Sequence, residues 1–178
     1  VRFAHDLGMI GNETKFIAVD GEHLASVTTN NISLKMMNVT TIEEAKNFYF
    51  MDTGSPHYVE FLDEDLNQTD VYNKGKSIRY NERFKEVGTN INFVEKTSAT
   101  SLYVRTYERG VENETLSCGT GVTACALASS FKGMKSPVSI KTLGGDLSIS
   151  FEKKNEGFEN IFLIGPAQKV FKGKIKIE

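Results

Sequence analysis

Two cysteines occur in the 178 residues, and their surroundings set them apart. Cys118 stands in Ser117-Cys118-Gly119-Thr120-Gly121, directly before a run of apolar residues that reads as a helix. The unpaired amides and positive dipole end of a helix N-terminus favour a thiolate, so this position predicts a thiol pKa below the roughly 8.5 of a free cysteine. The two glycines let a ligand come close to those amides, and the chemistry expected is a reactive thiol beside a carboxylate or phosphate cradle. The pattern also fits a buried structural cysteine, which free cysteines often are. Cys125, two turns further into the apolar run, reads as core packing.

Glu108-Arg109-Gly110 ends a predicted strand and leads through a loop towards Cys118. Neighbouring side chains on a strand point apart, so the expectation is that a strand-end loop aims both charges at one ligand; a surface pair is the plain alternative. Gly54-Ser55-Pro56-His57 reads as a turn with a histidine at its exit, a context that His5 and His23 lack. Three scattered histidines without a carboxylate pattern predict no metal site. Two cysteines seven residues apart on one helix fit neither a disulfide framework nor a thiol zinc site, and a reducing, cytoplasmic compartment is expected.

The elements that must position these groups follow from periodicity and turn chemistry. A helix opens the chain and ends at Gly8 or Gly11. Strands are predicted over residues 15–19, 24–29 and 32–37, separated by the hairpin dipeptides Asp20-Gly21 and Asn30-Asn31. Residues 41–44 are read as a turn before a strand at 47–52. Strands at 57–61, 90–94 and 102–107 and a helix at 70–79 come next, the strands at 90–94 and 102–107 alternating as if half-buried. The segment 119–131 has almost no polar face, and a helix apolar all round must be buried. Lys132 and Gly133 supply a last-turn cation and a terminating glycine. Strands at 138–142, 147–151, 161–164 and 169–177 complete the chain. The pattern suggests an α+β fold, a sheet curled around one central helix.

Composition excludes several classes. Hydrophobic residues make up 39% of the chain, an ordinary globular share that argues against disorder. Apolar runs stop at about five residues, far short of a membrane span. Lys and Arg number 21 against 23 for Asp and Glu, so no basic footprint for nucleic acid or anionic lipid exists.

Read as a unit, Glu108-Arg109-Gly110-Val111-Glu112-Asn113-Glu114-Thr115-Leu116-Ser117-Cys118-Gly119-Thr120-Gly121 closely resembles the second cysteine motif of the diaminopimelate epimerases, amino-acid epimerases of lysine and peptidoglycan precursor synthesis. Gly54-Ser55-Pro56-His57 resembles the family's Gly-Asn-Pro-His loop, and Gly88-Thr89-Asn90-Ile91-Asn92-Phe93-Val94 its Asn-Val-Asn-Phe-Val strand. Proline racemases share Cys-Gly-Thr-Gly but are less similar in the residues before it.

The resemblance implies two similar lobes, each a curled, mainly antiparallel sheet around a buried helix, with one catalytic cysteine from each lobe facing the substrate carbon. By analogy, residues 1–37 are a remnant of the first lobe, 38–164 the second lobe, and 165–178 a strand returning to the first. The chain opens Val1-Arg2-Phe3-Ala4 with neither an initiator Met nor an N-cap, and is expected to start inside a longer parent. The implied reaction interconverts LL- and meso-diaminopimelate without a cofactor, one thiol removing a proton while another donates on the opposite face. Cys118 would be one acid/base, and the Gly119 and Thr120 amides would hold the substrate carboxylate. Glu108 and Arg109 would take its charged groups, Asn90 would hydrogen-bond it and His57 would help to position it. Ser55, also expected to bind the substrate, departs from the family's Asn, and the loop from Gly110 to Thr115 has one residue more than the commoner form. The expected partner is a small-molecule substrate, with no nucleic acid or membrane; a homodimer is left open. With one thiol of the pair, the chain alone is expected to be inactive. Two alternatives stay open: a related racemase of another amino acid, resembling proline racemase, and a catalytically silent carboxylate-binding module.

Overall fold

A computed structural model describes residues 1–19 and 21–176. A short helix, α1 (Arg2–Asp6), precedes strands β1 (Glu13–Ala18), β2 (Gly21–Val27), β3 (Ile32–Lys35), β4 (Ile42–Glu44), β5 (Tyr49–Asp52) and β6 (Pro56–Phe61). Helix α2 (Val71–Arg79), strands β7 (Asn90–Lys96), β8 (Ser101–Glu108) and β9 (Asn113–Thr115), and helix α3 (Gly119–Ser129) follow, before β10 (Val138–Thr142), β11 (Gly145–Lys154) and β12 (Gly157–Gly165). The strands form one sheet in the order β1-β2-β3-β12-β11-β10-β8-β7-β6-β5-β4, with β9 paired to β8. Two neighbouring pairs are parallel, β6 with β7 and β8 with β10. Parallel neighbours need a crossover, and these two carry α2 and α3.

Helix α3 explains the shape of the sheet. Every residue from Gly121 to Ser129 is buried, so the helix presents no side to water. An apolar cylinder of this kind must be covered all round, and strands β5 to β8 and β10 to β12 curl around it. Val122, Leu127, Ile140, Ile149 and Ile161 meet there in one core. A single 3-10 turn (Ser130–Lys132) closes the helix, and Gly133 caps it at φ 81°, a backbone state open to glycine at little cost.

Helix α2 lies on the opposite face. Asp70 caps it, its carboxylate accepting from the Asn73 amide at 3.0 Å. Val71 and Ile78 of this helix join Ile91, Phe93, Tyr103 and Tyr107 in a second core. Strand β7 is therefore buried on both faces from Asn90 to Val94, where the sequence suggested half-burial.

Two other expectations need correction. Residues 41–44 form no turn: Ile42–Glu44 is strand β4, which closes the sheet edge on β5. Residues 166–176 form no strand; they are exposed, and β12 has already taken both of its partners, β11 and β3. Ile177 of that predicted strand, and Asp20 of the predicted Asp20-Gly21 turn, lie outside the described residues, although Gly21 does pair with Ala18 as a hairpin requires. Among the described residues no helix is long and apolar enough to cross a membrane.

Because α3 is enclosed on every side, truncating its largest apolar side chain leaves a void that the sheet cannot fill. Leu127→Ala is expected to lower stability by about 2–5 kcal/mol, read from the shift in urea midpoint. A change below about 1 kcal/mol would mean that the helix is less enclosed than described.

Candidate active site

Cys118 is the N-cap of α3, with extended backbone at φ −127° and its carbonyl accepting from the Val122 amide at 2.9 Å. Its position is set from both directions in the chain. Downstream is the buried helix. Upstream, Arg105 of β8 grips Glu114 of β9 through two parallel bonds of 2.6 Å, and its third nitrogen donates to the carbonyls of Leu66 and Thr69. Both side chains are mostly buried, so this fork holds the segment entering Cys118 where an exposed pair would hold little.

A cleft of about 440 Å³ opens at this helix start. Glu108, Ser117, Cys118, Gly119 and Thr120 form one wall. Phe16, His23 and Met36, from the first strands of the chain and the segment after them, face it with Leu163 of β12. The His23 ring stacks on Phe16 at 5.5 Å between centroids and its Nδ1 lies 2.9 Å from the Lys35 carbonyl oxygen. Sequence reasoning passed over His23 because nothing local marks it; only strand pairing brings it to the cleft.

The structure separates Glu108 from Arg109. Glu108 ends β8, accepts from the Thr115 hydroxyl at 2.8 Å and lines the cleft. The Arg109 guanidinium turns to the loop before β7, donating to the Val87 carbonyl at 3.1 Å, while its backbone amide donates to Asn90 Oδ1 at 2.9 Å. The expectation that the loop aims both charges at one point is not met, because Arg109, the first residue of the turn after β8, is tied to Asn90 and Val87 while Glu108 faces the cleft. The longer loop beyond is held by Glu112, at φ 56°, whose carboxylate accepts from the Gly110 amide at 3.1 Å and the Tyr107 hydroxyl at 3.2 Å.

Behind the cleft wall lies a buried polar network. His57 is completely buried, with Nε2 2.9 Å from Thr120 Oγ1 and 3.0 Å from Ser55 Oγ. Asn92 donates to the Tyr58 carbonyl at 2.8 Å and reaches His57 Nδ1 at 3.1 Å. Asn90 donates to Ser55 Oγ at 3.2 Å and to the Pro56 carbonyl at 3.1 Å, so its amide is engaged within the protein. Thr53 ties the preceding turn to the helix start, its hydroxyl donating to the Thr120 carbonyl at 2.8 Å. Gly121 makes the packing possible: a Cβ there would overlap Asn92 Oδ1 and crowd Cys118. Asn92, Thr53 and Thr106 escaped the sequence reading, although Asn90 and Asn92 at alternate positions of an otherwise apolar strand share one face. Among the described residues no cluster of His, Cys, Asp and Glu could hold a metal ion.

The lowered thiol pKa expected for Cys118 is overturned. Burial pushes the thiol above its ordinary range, against hydrogen bonds from the Thr120 hydroxyl and the Gly121 and Thr120 amides, and the Glu108 charge adds to the rise. At 8% exposure the sulfur has lost most of its water, and the helix start replaces it only in part. Cys125 is pushed up further, being fully buried with Cys118 as a neighbour. Burial, aided by the nearby Arg109 charge, holds His57 down to about 3.

The comparisons with known proteins fit this geometry. The fold is shared by a hydroxyproline epimerase from Agrobacterium vitis (TM-score 0.63, 14% identity, 92% of this chain and 61% of that one). It is shared also by a phenazine-biosynthesis PhzC/PhzF protein from Clostridium difficile (TM-score 0.63, 13% identity, 98% and 69%). The fold is thus a sheet-dominated α+β arrangement wrapped around one buried helix, shared with these proteins. The diaminopimelate epimerase family model matches residues 48–170. Diaminopimelate epimerases of Flavobacterium psychrophilum and Aquifex aeolicus are 49% and 40% identical over 98% and 100% of this chain, which spans 69% and 67% of their lengths. The chain belongs to the diaminopimelate epimerase family.

Two outcomes follow from these environments. Alkylation mapped by peptide mass should modify Cys118 well before Cys125, slowly at neutral pH, with the rate rising about tenfold per pH unit to above pH 9 as the thiolate fraction grows. Equal labelling, or Cys125 ahead, would contradict the burial described. Separately, with the folded value of about 3 below the ordinary 6.5, the unfolded chain binds a proton on His57 that the folded chain refuses between those limits. Stability should therefore fall as pH drops from 6.5, by up to about 1.4 kcal/mol per unit from this group. His57→Gln should flatten that slope in urea titrations at pH 7, 5.5 and 4.5; an unchanged slope would mean that folded His57 accepts the proton.

Proposed function

We propose that this chain forms the part of a diaminopimelate epimerase that presents one of two acid/base thiols to the substrate α-carbon. The observation that carries the reading is Cys118 at the start of a buried helix, opening into a cleft beside Glu108, in a chain of this family. Family membership supplies the substrate class, an amino acid that exists as LL and meso isomers, and the site supplies a protonated thiol at neutral pH suited to giving a proton.

Inverting a carbon without a cofactor needs a base on one face and an acid on the other in the same encounter. Cys118 takes one face, and we assign the other to a thiol carried by sequence beyond these residues. Residues 1–37 and 165–178 are read as belonging with that first lobe, and 38–164 as the second. Gly119 and Thr120 lie in the first turn of α3 and line the cleft, and their amides are assigned to a substrate carboxylate as negative charge develops on the adjacent carbon. Glu108 is assigned to the substrate ammonium group. Arg109 lies outside the cleft lining, with one N–H on Val87, and its assignment to a substrate carboxylate is carried by the family motif rather than by the cleft. Asn90, Ser55 and His57 support the wall from behind, the shorter Ser55 fitting between Asn90 and His57 in place of the family's Asn. A cytoplasmic location accords with a biosynthetic enzyme of free thiols.

The test uses the complete protein that contains these residues. Wild-type enzyme should convert LL- to meso-diaminopimelate, with solvent deuterium entering the α-position, and should leave proline and hydroxyproline unchanged. Cys118→Ala should lose at least 10² to 10⁴ of kcat/KM while keeping its circular dichroism, the range for loss of a general acid or base. Residues 1–178 by themselves should show no conversion. Near-parental turnover in Cys118→Ala, or robust conversion by the 178 residues alone, would overturn the two-thiol account.

A further inference from the structure

Asn92 does not line the cleft, yet its bonds have a direction that ends at the reactive sulfur. We propose that Asn92 is a positioning residue that fixes the tautomer of His57, and through it turns the Thr120 hydroxyl proton towards Cys118.

Groups that can only donate or only accept fix the direction of each bond. The Tyr58 carbonyl oxygen only accepts, so the Asn92 atom 2.8 Å from it is the amide nitrogen. The Thr106 hydroxyl, 3.0 Å from the other end of the same amide, donates to Oδ1 and agrees with that orientation. The same Asn92 nitrogen lies 3.1 Å from His57 Nδ1, which must therefore accept. A neutral imidazole that accepts at Nδ1 carries its proton on Nε2. Complete burial beside a guanidinium keeps the ring neutral.

From Nε2 the direction passes to the hydroxyls. His57 Nε2–H has Thr120 Oγ1 at 2.9 Å and Ser55 Oγ at 3.0 Å and shares its one proton between them, so neither hydroxyl can donate to the ring. Ser55 receives a second time, from Asn90 Nδ2, whose own orientation is set by the accepting Pro56 carbonyl and the donating Arg109 amide. Its proton then goes to Thr120 Oγ1 at 3.2 Å. Thr120 has now received twice, and its proton has Cys118 Sγ at 3.5 Å. The sulfur thus gains a donor that stabilises its thiolate against the loss of water. In the other tautomer Nε2 would carry a lone pair, the Thr120 hydroxyl would turn to the ring, and the sulfur would lose that donor.

The inference rests on the assignment of Cys118 as an acid/base, but its readouts need no turnover, so the two fail separately. Long-range ¹H–¹⁵N correlation on the labelled complete protein at pH 7 should show His57 protonated at Nε2 and bare at Nδ1; the reverse tautomer overturns the proposal without any variant. Asn92→Asp places an acceptor at Nδ1, and should move the proton there and slow Cys118 alkylation about tenfold, one pKa unit in effect. Thr120→Val should slow alkylation to a similar degree while leaving the His57 tautomer as it was. Because a new carboxylate also acts through space, the decisive comparison is Asn92→Asp in the Thr120→Val background. No further slowing there supports the relay, and a full second tenfold loss overturns it. If Asn92→Asp does not fold, the wild-type tautomer and the Thr120→Val rate decide: an unchanged rate in Thr120→Val overturns the proposal.

Discussion

A helix with no polar face cannot sit on a surface, and enclosing α3 governs most of what surrounds it. The sheet has to bend through its middle strands to cover Val122, Leu127 and their neighbours, and that bending brings β12 and β3 round to the helix start. The end of α3 that stays near water is its N-terminus, where amides lack partners within the helix. A cleft lined by Cys118, Gly119 and Thr120 is the consequence of closing a sheet around a helix while leaving that end open.

The same enclosure sets the chemistry of the thiol. A helix N-terminus in water lowers a thiol pKa, whereas at Cys118 the lost hydration outweighs the amides and the Thr120 hydroxyl, and Glu108 pushes the same way. The group is held as a thiol at neutral pH, which suits proton donation; proton removal requires help from whatever binds in the cleft. Glu108 is well placed to matter in both respects, as its charge disfavours the thiolate until a cationic group pairs with it.

Polar groups behind the cleft are costly to bury unless every one is matched. His57, Asn90, Asn92, Thr53 and Thr106 are all buried, and each has a partner of the right kind. Such a network resists rearrangement, because turning one amide or hydroxyl leaves another unpaired in a low dielectric. The wall carrying Cys118 is thereby rigid where the cleft itself is open.

Much of this was legible in the chain alone. The all-round apolar run from Val122 to Ala128 announced a buried helix, Gly133 its end, and Cys118 its start, since these depend on local pattern and spacing. The strands over β5 to β8 and β10 to β12 followed from alternation and turn residues. Tertiary structure decided what depends on neighbours far along the chain. Residues 41–44 became strand because β5 offered an edge, and 166–176 stayed irregular because β12 had no edge left to offer. His23 reached the cleft only through strand pairing, and Glu108 and Arg109 parted because Arg109 is held by Asn90 and Val87, distant in the chain. The thiol pKa shows the division most clearly: helix position is a local property and was read correctly, but hydration is set by everything packed around the sulfur, and no segment of sequence contains that.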